Sequence, residues 1–140
     1  MSAANVSPAR HTLTLSQQRT LLLLRVSLGL LMLVWGLDKI VNPGHGVKVA
    51  ERFYFGLPLS AAVMPALGVV QIALGVLVML RVRERVTLAV LVVLNGVTLI
   101  GVWRSIVDPW GWYLTGTNAL FFPSLIIFAG AVVLLAFRER

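Results

Sequence analysis

Four apolar stretches, at about residues 20–41, 58–80, 86–107 and 118–137, take up most of this 140-residue chain. Each is long enough, or nearly so, to cross the ~30 Å hydrocarbon core of a bilayer as a helix. A helix satisfies its own backbone where lipid supplies no hydrogen bonds, so the pattern predicts an all-α integral membrane four-helix bundle forming one domain, residues 1–140. Composition agrees: 59% of residues are hydrophobic, 12% are charged, and the mean hydropathy is +0.93, outside the range of soluble proteins. No stretch is left over for a soluble domain. The first apolar run starts too late and continues too regularly to be read as a cleaved signal peptide.

Basic residues set the expected orientation. Arg10, Arg19, Arg25, Arg81, Arg83, Arg85, Arg138 and Arg140 fall at one end of the helices, and Lys39, Lys48, Arg52 and Arg104 at the other. The richer side is expected to be cytoplasmic, and both termini with it. The net charge of +7 is accounted for by this asymmetry and by contact with anionic lipid headgroups. Nucleic acid is not an expected partner, because no soluble surface remains on which a basic stripe can follow phosphates.

Several chemistries are closed to the chain. With no cysteine it makes no disulfide, no thiolate nucleophile and no Cys-ligated metal site. His11 and His45 fall on opposite sides of the membrane in this topology, which excludes a bis-histidine haem within one chain, and neither has a metal-ligand spacing. Both read as solvated loop residues, and no metal is expected.

The connections differ in character. After the turn signal Asn42-Pro43-Gly44, the apolar Val47, Ala50 and Tyr54 recur at helical spacing opposite Lys48, Glu51 and Arg52, so a short interfacial helix is expected between helices one and two. The link Arg81-Val82-Arg83-Glu84-Arg85 forces helices two and three into an antiparallel hairpin. The last link carries Trp110, Trp112 and Tyr113 around Pro109 and two glycines, which reads as an aromatic belt at headgroup level.

Helix packing is legible from small residues, since close backbone approach drives association in lipid. Gly29 and Gly36 in helix one share a seven-residue spacing with Gly68 and Gly75 in helix two, so each pair marks one helix face. The 13 residues from Arg25 to Asp38 rise only about 20 Å, less than the hydrocarbon core, so at least one of the charges at 25, 38 and 39 must snorkel or face protein. Lys39 lies on the glycine side and is expected to point inward, with Asp38 more peripheral. Gln71 and Asn95 are each ten residues from the ends of the hairpin turn, which brings them to one depth and predicts an amide–amide pair; with Thr98 they also suit a polar pocket for a quinone or similar headgroup. Arg104, 19 residues or about 28 Å after Arg85, reaches the outer interface, where a cluster with Lys39 and either Asp38 or Asp108 is expected.

The segment Leu24 to Pro43, with its Gly36-Leu37-Asp38-Lys39 motif followed by a turn, resembles the first-helix signature of the DoxX-like family. Residues 65–94, with Gly68, Gly75 and the short basic turn, are similar to that family's second and third helices. The resemblance spans roughly residues 24–100 and implies a small four-helix inner-membrane protein tied to quinone- or thiol-linked redox systems. Two positions depart from it: Gln71 stands where family members often carry Glu, and Ala136-Phe137-Arg138 stands where a Gly-Pro-Gly-like ending is usual. An amide in place of an acid removes a proton acceptor, which favours an accessory role over proton-coupled catalysis.

The function expected is therefore an accessory, anchoring or assembly subunit, not catalytic on its own, with the bilayer and a membrane redox protein as partners. The alternative is a quinone- or lipid-binding catalytic subunit whose site uses Lys39, Gln71, Asn95 and Arg104. A small-molecule transporter ranks below both, because the chain shows no inverted repeat and would have to oligomerise.

Overall fold

The computed structural model describes residues 13–53 and 60–138, and within these every regular element is helical. The order is α1 (Leu15–Val41), α2 (Pro43–Phe53), α3 (Met64–Met79), α4 (Glu84–Gly101), α5 (Trp103–Val107), a 3-10 turn (Ala119–Phe121) and α6 (Pro123–Ala136). Three segments are long and apolar enough to cross a membrane: Leu15–Val41, Glu84–Gly101 and Ala119–Ala136. The fourth apolar helix, α3, has 16 residues and rises about 24 Å.

Local chemistry explains where the helices depart from the apolar runs. α1 begins five residues before residue 20 because Thr14 and Gln17 form a capping box: the Gln17 N–H donates to Thr14 Oγ1 at 3.3 Å, and the Thr14 N–H donates to Gln17 Oε1 at 2.8 Å. α3 begins at Met64, well after residue 58, with Pro65 in its first turn, where the missing proline N–H is not needed. At its end the Val82 N–H donates to the Leu77 carbonyl and the Arg81 N–H to the Val78 carbonyl, with Arg81 at φ 58°. This is a Schellman ending carried by arginine instead of glycine. The helix expected at 86–107 divides at Val102 into α4 and α5, and that expected at 118–137 opens with the 3-10 turn.

α1 packs along α3, and α4 packs along α6. The first contact has the expected glycine seam: a Cβ on Gly36 would lie 2.7 Å from the Gly68 carbonyl oxygen, and one on Gly75 would lie 2.7 Å from that of Gly29. Backbone therefore lies directly on backbone. The two helix pairs join at the end nearest the α3–α4 turn, around Leu28, Met32, Leu74, Val78, Leu88, Leu91, Ala131 and Leu134. The outward faces carry large apolar side chains such as Leu23, Val34, Val70, Val93 and Ile126, each about two-thirds exposed. Such continuous apolar surface belongs to a membrane protein.

Arg25 is the charge that faces protein. It is 3% exposed, its Nη2 donates to the Glu84 carboxylate, and its Nη1 donates to the Val78 carbonyl at 3.1 Å. One side chain thus joins α1, the end of α3 and the start of α4. α2 is the expected amphipathic helix, burying Gly46 and Ala50 and exposing Lys48, Glu51 and Arg52; Tyr54 lies outside the described residues.

Candidate functional site

Toward the Asp38 end the two helix pairs part and enclose a cavity of about 650 Å³. α1 contributes Leu31, Met32, Trp35, Asp38 and Lys39, and α3 contributes Met64, Leu67 and Gln71. Across from them stand Leu94, Asn95, Thr98 and Val102, with Phe121, Ser124 and Ile127 from the last segment. α2 lies over this end with His45, Gly46, Val49 and Ala50. Its last residue, Phe53, meets Phe121 with ring centroids 4.3 Å apart, which ties α2 to the 3-10 turn. The volume is that of a small-molecule site, and most of the wall is apolar with a few polar groups, as in sites for amphipathic ligands.

Besides Asn118 and Ser124, the polar groups of the wall form three sets. Lys39 Nζ donates to Gln71 Oε1 at 2.9 Å and to the Trp35 carbonyl at 3.4 Å, and lies 5.9 Å from the centroid of the Trp35 ring. Gln71 is buried, and among the described residues its Nε2 meets only the soft thioether of Met32, at 3.7 Å. At the rim, Asp38 Oδ2 and His45 Nδ1 are 2.7 Å apart, which joins the end of α1 to the first turn of α2 across Pro43. On α4, Asn95 Nδ2 donates to the Leu91 carbonyl at 2.9 Å and Thr98 Oγ1 to the Leu94 carbonyl at 3.2 Å.

Of the four site residues expected from sequence, Lys39, Gln71 and Asn95 line this cavity and Arg104 does not. Gln71 and Asn95 share it without the expected amide–amide hydrogen bond. The oxygen of Gln71 is taken by an ammonium, a stronger donor than an amide, and the Asn95 amide turns back onto its own helix. The expected cluster of Lys39 and Arg104 with Asp38 or Asp108 does not assemble either. Arg104 is exposed, with its guanidinium 5.7 Å from the Trp103 ring centroid. Asp108 turns into the following loop, where its carboxylate accepts the N–H groups of Tyr113 at 2.7 Å, Leu114 at 2.8 Å and Trp112 at 3.0 Å. Three backbone donors outcompete one solvent-exposed arginine. These N–H groups, that of Tyr113 first, hold the Asp108 carboxyl below the usual carboxylate range against the opposing effect of its burial.

Asp108 thereby organises the aromatic loop, in which Trp110 and Trp112 stack with centroids 5.2 Å apart and Tyr113 is exposed. None of these three rings lines the cavity.

Sequence reasoning missed the Asp38–His45 pair, having set His45 aside as a solvated loop residue. The available signal was the seven-residue separation across a proline turn, which returns the first turn of the next helix to the end of the last. Trp35 was missed because an aromatic in an apolar run carries no positional signal. Among the described residues no group of three His, Cys, Asp or Glu side chains is close enough to hold a metal ion. Comparison of the chain with family models, with curated protein sequences and with solved structures finds no match.

Proposed function

We propose that this chain is a DoxX-like accessory subunit of a bacterial-type inner-membrane redox system that holds a quinone or a similar amphiphile between its helices. The observation that carries the reading is the cavity itself. Half-buried Lys39 and buried Gln71 form a hydrogen-bonded pair set in a mostly apolar wall, which suits a ligand with an oxygen-bearing head and a hydrocarbon body. Polar side chains at membrane depth are expensive unless they pair or serve a ligand, and here, among the described residues, one amide's donors meet little more than a sulfur atom. The amide at position 71 neither accepts nor releases a proton near neutral pH, which favours holding a ligand over proton-coupled turnover.

The test is purification in mild detergent followed by identification of bound lipids, quinones and proteins. The expected result is a retained quinone or lipid together with a membrane redox protein, and loss of the small molecule from Gln71→Leu at unchanged expression. A chain that retains neither a small molecule nor a redox partner would refute the reading.

In this proposal all four apolar helices cross the bilayer, α3 with help from its flanking turns, and both termini are cytoplasmic. The arginine distribution supports the orientation. Single cysteines replacing the exposed Arg85, Lys48 and Thr115 in this cysteine-free chain report it. With a membrane-impermeant thiol reagent on intact cells, position 85 is expected to stay unlabelled while positions 48 and 115 react. The opposite pattern inverts the topology.

A further inference from the structure

We infer that the cavity discriminates between oxidation states of an aromatic ligand, binding the dihydroxy (quinol) form more tightly than the dione; this rests on the ligand reading above. The basis is an opposition of donors and acceptors across the cavity.

On the α1–α3 side the groups inward of the rim are donors, the Asp38 carboxylate standing at the rim with His45. The orientation of Gln71 is set because its Oε1 faces Lys39 Nζ, which can only donate. Among the described residues its Nε2, with two N–H groups, meets just the Met32 sulfur at 3.7 Å, and Lys39 keeps a third N–H beyond those given to Gln71 and Trp35. On the α4 side an acceptor remains. The orientation of Asn95 is set because its Nδ2 faces the Leu91 carbonyl, which can only accept, and this leaves Oδ1 without a partner among the described hydrogen bonds. Gln71 is 8% exposed and Asn95 5%, and both line the cavity, where a bound ring takes the place of water.

A dione presents carbonyl oxygens at both ends of its ring. One suits the donors of Lys39 and Gln71, but the other then faces the Asn95 oxygen, acceptor against acceptor. The diol has a hydroxyl oxygen that accepts from Lys39 and Gln71 and, at the far end of the ring, a hydroxyl hydrogen that donates to Asn95 Oδ1. One extra hydrogen bond in a buried site corresponds to about fivefold to tenfold in affinity.

The probes are a decyl-substituted benzoquinone and its hydroquinone, measured anaerobically by equilibrium dialysis against the full chain in nanodiscs. The wild type is expected to bind the hydroquinone about fivefold to tenfold more tightly, and a tenfold preference raises the midpoint potential of the bound couple by about 30 mV. Two variants of matched shape isolate the cause. Asn95→Thr keeps an acceptor oxygen while its hydroxyl hydrogen returns to the helix, as that of Thr98 does to Leu94, and is expected to keep the preference. Asn95→Val is expected to bind both forms equally. Equal binding by the wild type, or a preference that survives Asn95→Val, overturns this inference while the ligand reading stands. Binding of neither form by the wild type overturns both.

Discussion

Glu84→Ala is expected to destabilise the protein by about 3 to 5 kcal/mol, although residue 84 lies in the first turn of its helix, beside the connection to α3. The loss comes from Arg25, which is left as an uncompensated charge in an apolar setting. Its remaining bond to the Val78 carbonyl does not neutralise it, and its Nε already lacks a partner. A buried ion pair and its apolar replacement are often similar in stability, because desolvation offsets most of the Coulomb attraction. The double variant Arg25→Met, Glu84→Leu is therefore expected to recover most of what Glu84→Ala loses. Unfolding in mixed detergent micelles, followed by circular dichroism, measures both. A Glu84→Ala protein within about 1 kcal/mol of wild type would show that the pair does not hold the three helices together.

The glycine seam gives the second large effect. A Cβ on Gly68 would lie within 2.5 Å of the Gly36 carbonyl oxygen and 3.2 Å from Lys39 Cβ, so no side-chain rotation relieves the clash. Gly68→Ala must push α1 and α3 apart, at a cost of about 1 to 3 kcal/mol, and Gly68→Val should cost more. Because Lys39 and Gln71 sit on these two helices, the separation also lengthens their hydrogen bond, so ligand retention should fall with stability. Gly44→Ala serves as the control, since nothing lies within 4 Å of the site a methyl group would take. The same unfolding assay checks the series, and equal stability for Gly68→Ala and Gly44→Ala would contradict the backbone contact.

The parts of the fold that repeat along the chain were legible in the sequence. Apolar run length identified the long helices, seven-residue glycine spacing identified the α1–α3 face, and alternation of Ala50 with Lys48, Glu51 and Arg52 identified α2. Helix ends were less legible. The Schellman ending of α3 uses Arg81 in the left-handed region, where glycine is the usual signal, and the break at Val102 follows a glycine that also occurs inside other helices. In the site, depth was legible and direction was not. Counting residues brings Gln71 and Asn95 to one depth, but whether two amides pair depends on which stronger partner is near, and Lys39, expected in an outer cluster with Arg104, claims the Gln71 oxygen. Arg104 and Asp108 stand one turn apart across α5, but the Asp108 carboxylate turns into the following loop and takes three backbone N–H groups instead.

The central claim is that the space beside Lys39 and Gln71 holds a ligand. Photolabelling tests it most directly, using a benzoquinone with a diazirine in its alkyl tail, the full-length chain in lipid nanodiscs, and peptide mapping of the attachment sites. The account predicts labels on cavity residues such as Leu31, Leu94 and Ile127, displaced by excess unlabelled quinone and much reduced in Gln71→Leu. Labels confined to the lipid-facing Val34, Val70 and Val93, undiminished by competitor, would contradict it and reduce Lys39 and Gln71 to a packing contact between two helices.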